Sequence, residues 1–90
     1  MKEASECVIA VIPPPERLPG FPDAVRVRRK GSYAGGLRQR WQDPRGRIYE
    51  WDYQHGTVEI YDARGRHQGE FDPNTGQSVG PRERGRRVER

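Results

Sequence analysis

Ile48-Tyr49-Glu50-Trp51-Asp52-Tyr53-Gln54-His55-Gly56-Thr57-Val58-Glu59 decides the reading of this chain. From Ile48 to Tyr53 the residues alternate. Tyr49, Trp51 and Tyr53 point one way, and Ile48, Glu50 and Asp52 point the other, which is the period of a strand. In the run that follows, Val58 and Ile60 oppose Thr57, Glu59 and Tyr61. A glycine-containing turn separates the two runs. This pattern predicts an antiparallel hairpin with the aromatics toward a core and the carboxylates toward a solvated face. It also gathers three proton-transfer side chains, Asp52, His55 and Glu59, on one short stretch.

If His55 and Gly56 are the two central residues of the turn, Asp52 lies directly across from Glu59. Like charges in that position destabilise a ladder. The expectation is therefore a cation held between them, or one carboxylate with a raised pKa, as acid–base catalysts often have.

Outward from the hairpin the pattern repeats. Leu37–Gln42, Ile48–Tyr53, Thr57–Tyr61 and His67–Phe71 are rich in β-formers, with a short strand expected near Ser78. Asp43-Pro44-Arg45-Gly46, Asp62-Ala63-Arg64-Gly65 and Asp72-Pro73-Asn74-Thr75-Gly76 divide them, and Gly, Asp, Asn and Pro are the residues that permit tight turns. Loops this short force antiparallel pairing. No window carries a convincing amphipathic helix. The expected fold class is mainly β, a small twisted antiparallel sheet with an irregular proline-rich N-terminal segment.

Ninety residues make one domain at most, and with only 31% hydrophobic residues and a mean hydropathy of −1.14 the core must be thin. The formal net charge of +4 favours a polyanionic partner: nucleic acid, anionic membrane or an acidic protein. One cysteine, Cys7, excludes an internal disulfide, and one Cys with two His falls short of a structural zinc site. The longest apolar run, Cys7–Ile12, is far shorter than the roughly 20 residues of a membrane-spanning helix. Val8–Ile12 within it is expected as an edge strand or a partner contact, with docking onto the domain the favoured reading.

Residues 1–23 read as a tether, because Pro13-Pro14-Pro15, Pro19 and Pro22 favour extended backbone and exclude a helix. Residues 24–90 read as the folded domain, with a core over 37–79 and a basic arm over 80–90. Residues 24–40 hold Arg26, Arg28, Arg29, Lys30, Arg38 and Arg40, and no acid falls between Val25 and Gln42. A charge run is most often a solvated face; the embedded Tyr33 and the missing counter-charges make RNA contact the functional reading. The arm holds Arg82, Arg84, Arg86, Arg87 and Arg90 against two glutamates. It is either a frayed tail or a segment that folds back and clamps a phosphate.

Cleavage of RNA by internal transesterification needs a base for the 2′-hydroxyl, an acid for the departing 5′-oxygen and a cation for the charged transition state. Asp52, His55, Glu59 and the C-terminal arginines supply those group types without a cofactor. His67, with no carboxylate within two residues, reads as structural or exposed. The same basic, aromatic composition also serves a non-catalytic RNA-binding module.

Arg40-Trp41, Gly46, Ile48 to Asp52, Gln54-His55-Gly56, Glu59, Tyr61, Gly69, Phe71-Asp72-Pro73 and Thr75-Gly76 follow one another in an order that resembles the cytotoxic ribonuclease domain of colicin E3 and related bacteriocins and polymorphic toxins. The resemblance covers residues 37–79. It implies metal-independent cleavage of 16S ribosomal RNA at the decoding centre, and delivery as part of a larger secreted toxin that acts in the target-cell cytoplasm. It also implies a dedicated, acidic immunity protein in the producing cell. Carried over by position, Asp52, His55 and Glu59 fall on catalytic positions. Glu59 would be the general base, His55 the general acid and Asp52 the residue that orients His55, and the two proton-transfer roles are interchangeable at this level. The family's C-terminal arginine corresponds to Arg86 if one residue is inserted, with Arg84 as second choice. Arg38, Arg40, Arg84 and Arg87 are the expected RNA-binding residues.

Overall fold

The computed structural model describes residues 11–33 and 36–90, apart from the side chains of residues 30–33 and 36. Six strands follow in chain order: β1 (Val25–Tyr33), β2 (Gly36–Gln42), β3 (Ile48–Asp52), β4 (Thr57–Tyr61), β5 (His67–Phe71) and β6 (Ser78–Gly80). They form one open antiparallel sheet in the order β1-β2-β3-β4-β5-β6, and no helix occurs among the described residues. The expected fold class is observed. β1 is the addition: it pairs with β2 through two register shifts, and its run of arginines hides any strand alternation.

The turns explain the meander. Asp43, Asp52, Asp62 and Asp72 each open a turn that closes on a glycine. In each, one carboxylate oxygen accepts the backbone N–H two residues on and a second N–H one or two residues further. The turns after Asp43 and Asp62 close with the glycine N–H three residues on, and those after Asp52 and Asp72 with the glycine four residues on. That difference sets the register of the central hairpin. Gly56, at φ +69°, closes a five-residue turn from Asp52, so Asp52 pairs with Thr57 and Glu50 with Glu59. The expected pairing of Asp52 with Glu59 is therefore wrong by two residues. Side-chain parity survives because the offset is even.

The two faces differ. Trp41, Tyr49 and Ile60 form one row across the sheet, and Trp51, Val58 and Phe71 form the next. Leu18, Phe21 and Ala24 of the N-terminal segment cover this face and complete the core. The proline-rich segment, expected as a tether, lies against the sheet over its described residues. Ile12 N–H donates to Tyr53 O at 2.8 Å, and the indoles of Trp41 and Trp51 donate to Glu16 O and Ile12 O. Val8–Ala10, the body of the apolar run expected to dock, lie outside the described residues; Ile12 at its end does dock.

On the opposite face the rows read Gln42-Ile48-Tyr61-His67 and Arg40-Glu50-Glu59-Glu70. The C-terminal arm crosses this face. His67 N–H donates to Arg86 O, Val88 N–H to Gly65 O, and Arg40 Nη1 to Glu89 O. Ile48 and Tyr61, which alternation assigns to a solvated side, are buried on this face, and Arg86 of the arm contacts Tyr61. Gly65 lies under the arm at φ +84°, where a Cβ would fall 2.5 Å from Val88 O.

Candidate active site

The arm-bearing face collects more charge than the sequence showed. Three glutamates, Glu50, Glu59 and Glu70, stand in one row across β3, β4 and β5, with Arg40 at its β2 end. Directly opposed carboxylates repel, so each needs a partner, and the partners differ. Glu50 takes Arg40 Nη2 at 2.7 Å, and both side chains are buried. Glu59 takes His67 Nε2 at 2.7 Å and Arg86 Nη1 at 3.7 Å, both on Oε1. Glu70 accepts the Thr57 hydroxyl at 2.5 Å and lies 4.0 Å from His55 Nδ1.

His55 sits on the rim of this row, in the turn that Asp52 builds. Asp52 Oδ1 accepts the N–H groups of Gln54 and His55, and Oδ2 meets His55 Nδ1 at 2.7 Å. Asp52 is thus fixed by backbone before it touches the imidazole. Its partial burial works to raise its pKa, but the hydrogen bonds from His55 and Gln54 outweigh burial and hold it below the usual carboxylate value. The hydrogen bond to Asp52, then the nearby negative charge, raises the His55 pKa above 6.5. The His55 side chain is 58% exposed, so the ring is open to a ligand.

Glu59 is 6% exposed and lies deeper. Arg86 reaches it from the arm. Its Nε donates to the Tyr61 hydroxyl at 3.2 Å, its Nη1 donates to Glu83 at 3.2 Å, and its guanidinium carbon lies 5.9 Å from the centre of the Tyr61 ring. Arg84 and Arg87 are exposed on the same arm. With Arg66, Arg82, Arg86 and His67 they line a cavity of about 340 Å3 between the arm and the start of β5.

Of the expected site residues, Asp52, His55, Glu59 and Arg86 come together on one face. Arg38 is half-buried on β2, away from any contact described above. Arg40, expected as an RNA-binding residue, is 3% exposed and engaged by Glu50 and Glu89 O. Among the described residues its Nε is the sole buried side-chain polar atom with no hydrogen-bond partner.

His67 and Glu70 are the residues that sequence reasoning missed. His67, read as structural or exposed, is 2% exposed and pairs with Glu59, which favours the structural alternative; its contact with Glu59 is what the sequence did not show. Strict alternation from Glu70 puts Gln68, not His67, on the Glu59 face. A bulge between β4 and β5, where Ile60 pairs with Gly69 but Tyr61 pairs with His67, moves His67 onto that face. The sequence mark of the bulge is Gly69, a glycine inside the strand at φ +139°. Among the described residues, Asp52, His55 and Glu70 also form a group whose donor atoms lie within 4.8 Å of one another. In that group Asp52 and Glu70 both approach His55 Nδ1, and Glu70 also accepts from Thr57.

The comparisons with known proteins agree in outline. The family model Cytotoxic matches residues 12–89. Colicin E3 of Escherichia coli is 46% identical over 63 residues, which cover 68% of this chain and 10% of that protein. Cloacin, also of Escherichia coli, is 55% identical over 47 residues, and Colicin-E6 is 53% identical over the same length; the matches cover half of this chain and 8% of each relative. The chain therefore spans about a tenth or less of the curated relatives it matches.

Proposed function

Because the chain belongs to the Cytotoxic family, which it shares with colicin E3, cloacin and colicin E6, we propose that it is the toxin domain of a bacteriocin-type endoribonuclease. Its substrate is 16S ribosomal RNA at the decoding centre, and its reaction is internal transesterification by acid–base chemistry. The observation that carries this reading is the convergence of Arg86 on Glu59, on the face that carries His55. A carboxylate, an imidazole and a guanidinium on one face supply the group types that base, acid and transition-state cation require.

Each group has a distinct task. Glu59 takes the proton of the 2′-hydroxyl. His67 and Arg86 both contact its Oε1, which leaves Oε2 as the oxygen to take that proton. The 2′-oxygen attacks phosphorus, and negative charge grows on the non-bridging oxygens, where Arg86 stabilises it. His55 protonates the departing 5′-oxygen. Asp52 holds Nδ1, so Nε2 delivers the proton, and the hydrogen bond to Asp52 raises the pKa in the direction that favours the charged ring. The 2′-hydroxyl requirement makes RNA the substrate and DNA an inert analogue. Arg84 and Arg87 guide the RNA backbone from the arm.

The toxin would be delivered as part of a larger bacterial protein and act in the target-cell cytoplasm. In the producing cell a domain of net charge +4 calls for an acidic immunity protein, which the charge would also steer into place. Incubating the domain with ribosomes in EDTA tests the reading. Release of a short 3′ fragment of 16S RNA is expected. A bound complex with intact 16S RNA would instead make this a non-catalytic RNA-binding module.

A further inference from the structure

Glu70 has no role in the chemistry above, yet it stands inside the site. It faces Glu59 directly across β4 and β5. Its Oε2 accepts the Thr57 hydroxyl at 2.5 Å and lies 4.0 Å from His55 Nδ1. Its side chain is 26% exposed, and β6 closes behind it: a Cβ on Gly80 would fall 2.8 Å from Glu70 Oε1. The carboxylate is therefore held between a hydroxyl and a neighbouring strand rather than waving in solvent.

A like-charge neighbour opposite Glu59 costs stability, so its position calls for a cation. The charged groups that act on the His55 ring are Asp52 from the end of β3, Glu59 from β4 and Glu70 from β5. The arginines paired to the other two glutamates of the row are taken: Arg40 by Glu50, and Arg86 by Glu59 and Glu83. Within the row of three glutamates, Glu50 and Glu59 have their own cations, and Glu70 is left with the imidazole of His55. Thr57 neutralises nothing, but it fixes which way Glu70 Oε2 points.

We propose that Glu70 is a positioning residue for His55, a second carboxylate that works with Asp52 to keep the imidazole protonated and turned toward the substrate. Asp52 sets the ring's orientation by direct contact, and Glu70 supplies charge from the opposite strand. The inference rests on the reading of His55 as the general acid for its catalytic meaning, though its electrostatic content stands without it.

The test is an NMR titration of the His55 ring in the wild-type domain and in Glu70→Gln, which keeps the size and can still accept from Thr57. At a separation near 4 Å in a largely solvated setting, loss of one negative charge lowers the midpoint by about half a pH unit. Glu70→Ser, which removes both charge and bulk, gives a second folded comparison. The alkaline limb of ribosome cleavage should move down by the same amount, a shift that a purely structural role for Glu70 does not produce. An unchanged His55 midpoint in either folded variant overturns the proposal. A lowered midpoint in a domain that leaves ribosomes uncut supports the placement of Glu70 and removes the ribonuclease reading instead.

Discussion

His67 Nε2 lies 2.7 Å from Glu59 Oε1, while His67 Nδ1 accepts the backbone N–H of Glu83 at 2.9 Å. A backbone amide only donates, so Nδ1 carries no hydrogen and the proton sits on Nε2, aimed at Glu59. One buried ring therefore fixes the carboxylate and docks the arm that carries Arg86. His67→Ala should lower turnover by about 100-fold through misplacement of Glu59 and Arg86, without removing a proton-transfer group. His67→Gln, which keeps a donor near Nε2, should recover part of it. Single-turnover cleavage measures both, and faster amide exchange at Val88 would report the loosened arm.

His55→Ala and Glu59→Ala each delete a proton-transfer group, so each should cost about 10²- to 10⁴-fold in cleavage rate. The double variant should cost much less than the product of the two, because the groups act in one step. Far-UV circular dichroism should stay that of the parent in His55→Ala, whose ring is largely exposed. Full activity in both single variants would remove them from the chemistry.

Arg86 and Arg84 should separate cleanly. Arg86 contacts Glu59, so Arg86→Ala should reduce the rate at saturating ribosomes by about 10²-fold or more. Arg84 is exposed on the arm, so Arg84→Ala should weaken binding and flatten the salt dependence with little change in the saturated rate. The split between rate and affinity is the readout.

The pH behaviour follows from two shifts of opposite sign. The His55 pKa is raised, so the stability it contributes is complete below its ordinary value of 6.5 and is lost as pH climbs through the raised value. The Asp52 pKa is lowered from 3.8, so its contribution is complete above that value and is lost as pH falls through the lowered one. The Asp52–His55 pair is thus intact across the interval between them. With His55 as acid, cleavage should fall on the alkaline side of 6.5, and Asp52→Asn should move that limb to lower pH.

Much of this was legible in the sequence. Alternation from Ile48 to Tyr61 gave the central hairpin and which side chains share a face, but not that Ile48 and Tyr61 are buried on the face read as solvated. The Asp-to-Gly turns gave the strand boundaries. The register of the hairpin was misread, because Asp52 was counted only as a charge and not as the carboxylate that builds a five-residue turn. The arm was legible as basic, but its path was not: it is held by backbone hydrogen bonds at Gly65 and His67, which carry no side-chain signature. The burial of Arg40 was not legible because its partner, Glu50, is ten residues away along the chain and adjacent only once β2 and β3 pair. His67 was hidden by a bulge, and Glu70 by sitting across from a residue eleven positions earlier.

The central claim is that Glu59 and His55 perform an internal transesterification on RNA, and the chemistry of the cut ends tests it most directly. A short decoding-site RNA or the ribosome itself should yield a 5′ fragment ending in a 2′,3′-cyclic phosphate and a 3′ fragment beginning with a 5′-hydroxyl. A 2′-deoxy substitution at the cut nucleotide should abolish the reaction. A 5′-phosphate on the downstream fragment, or cleavage that survives the deoxy substitution, would contradict the account.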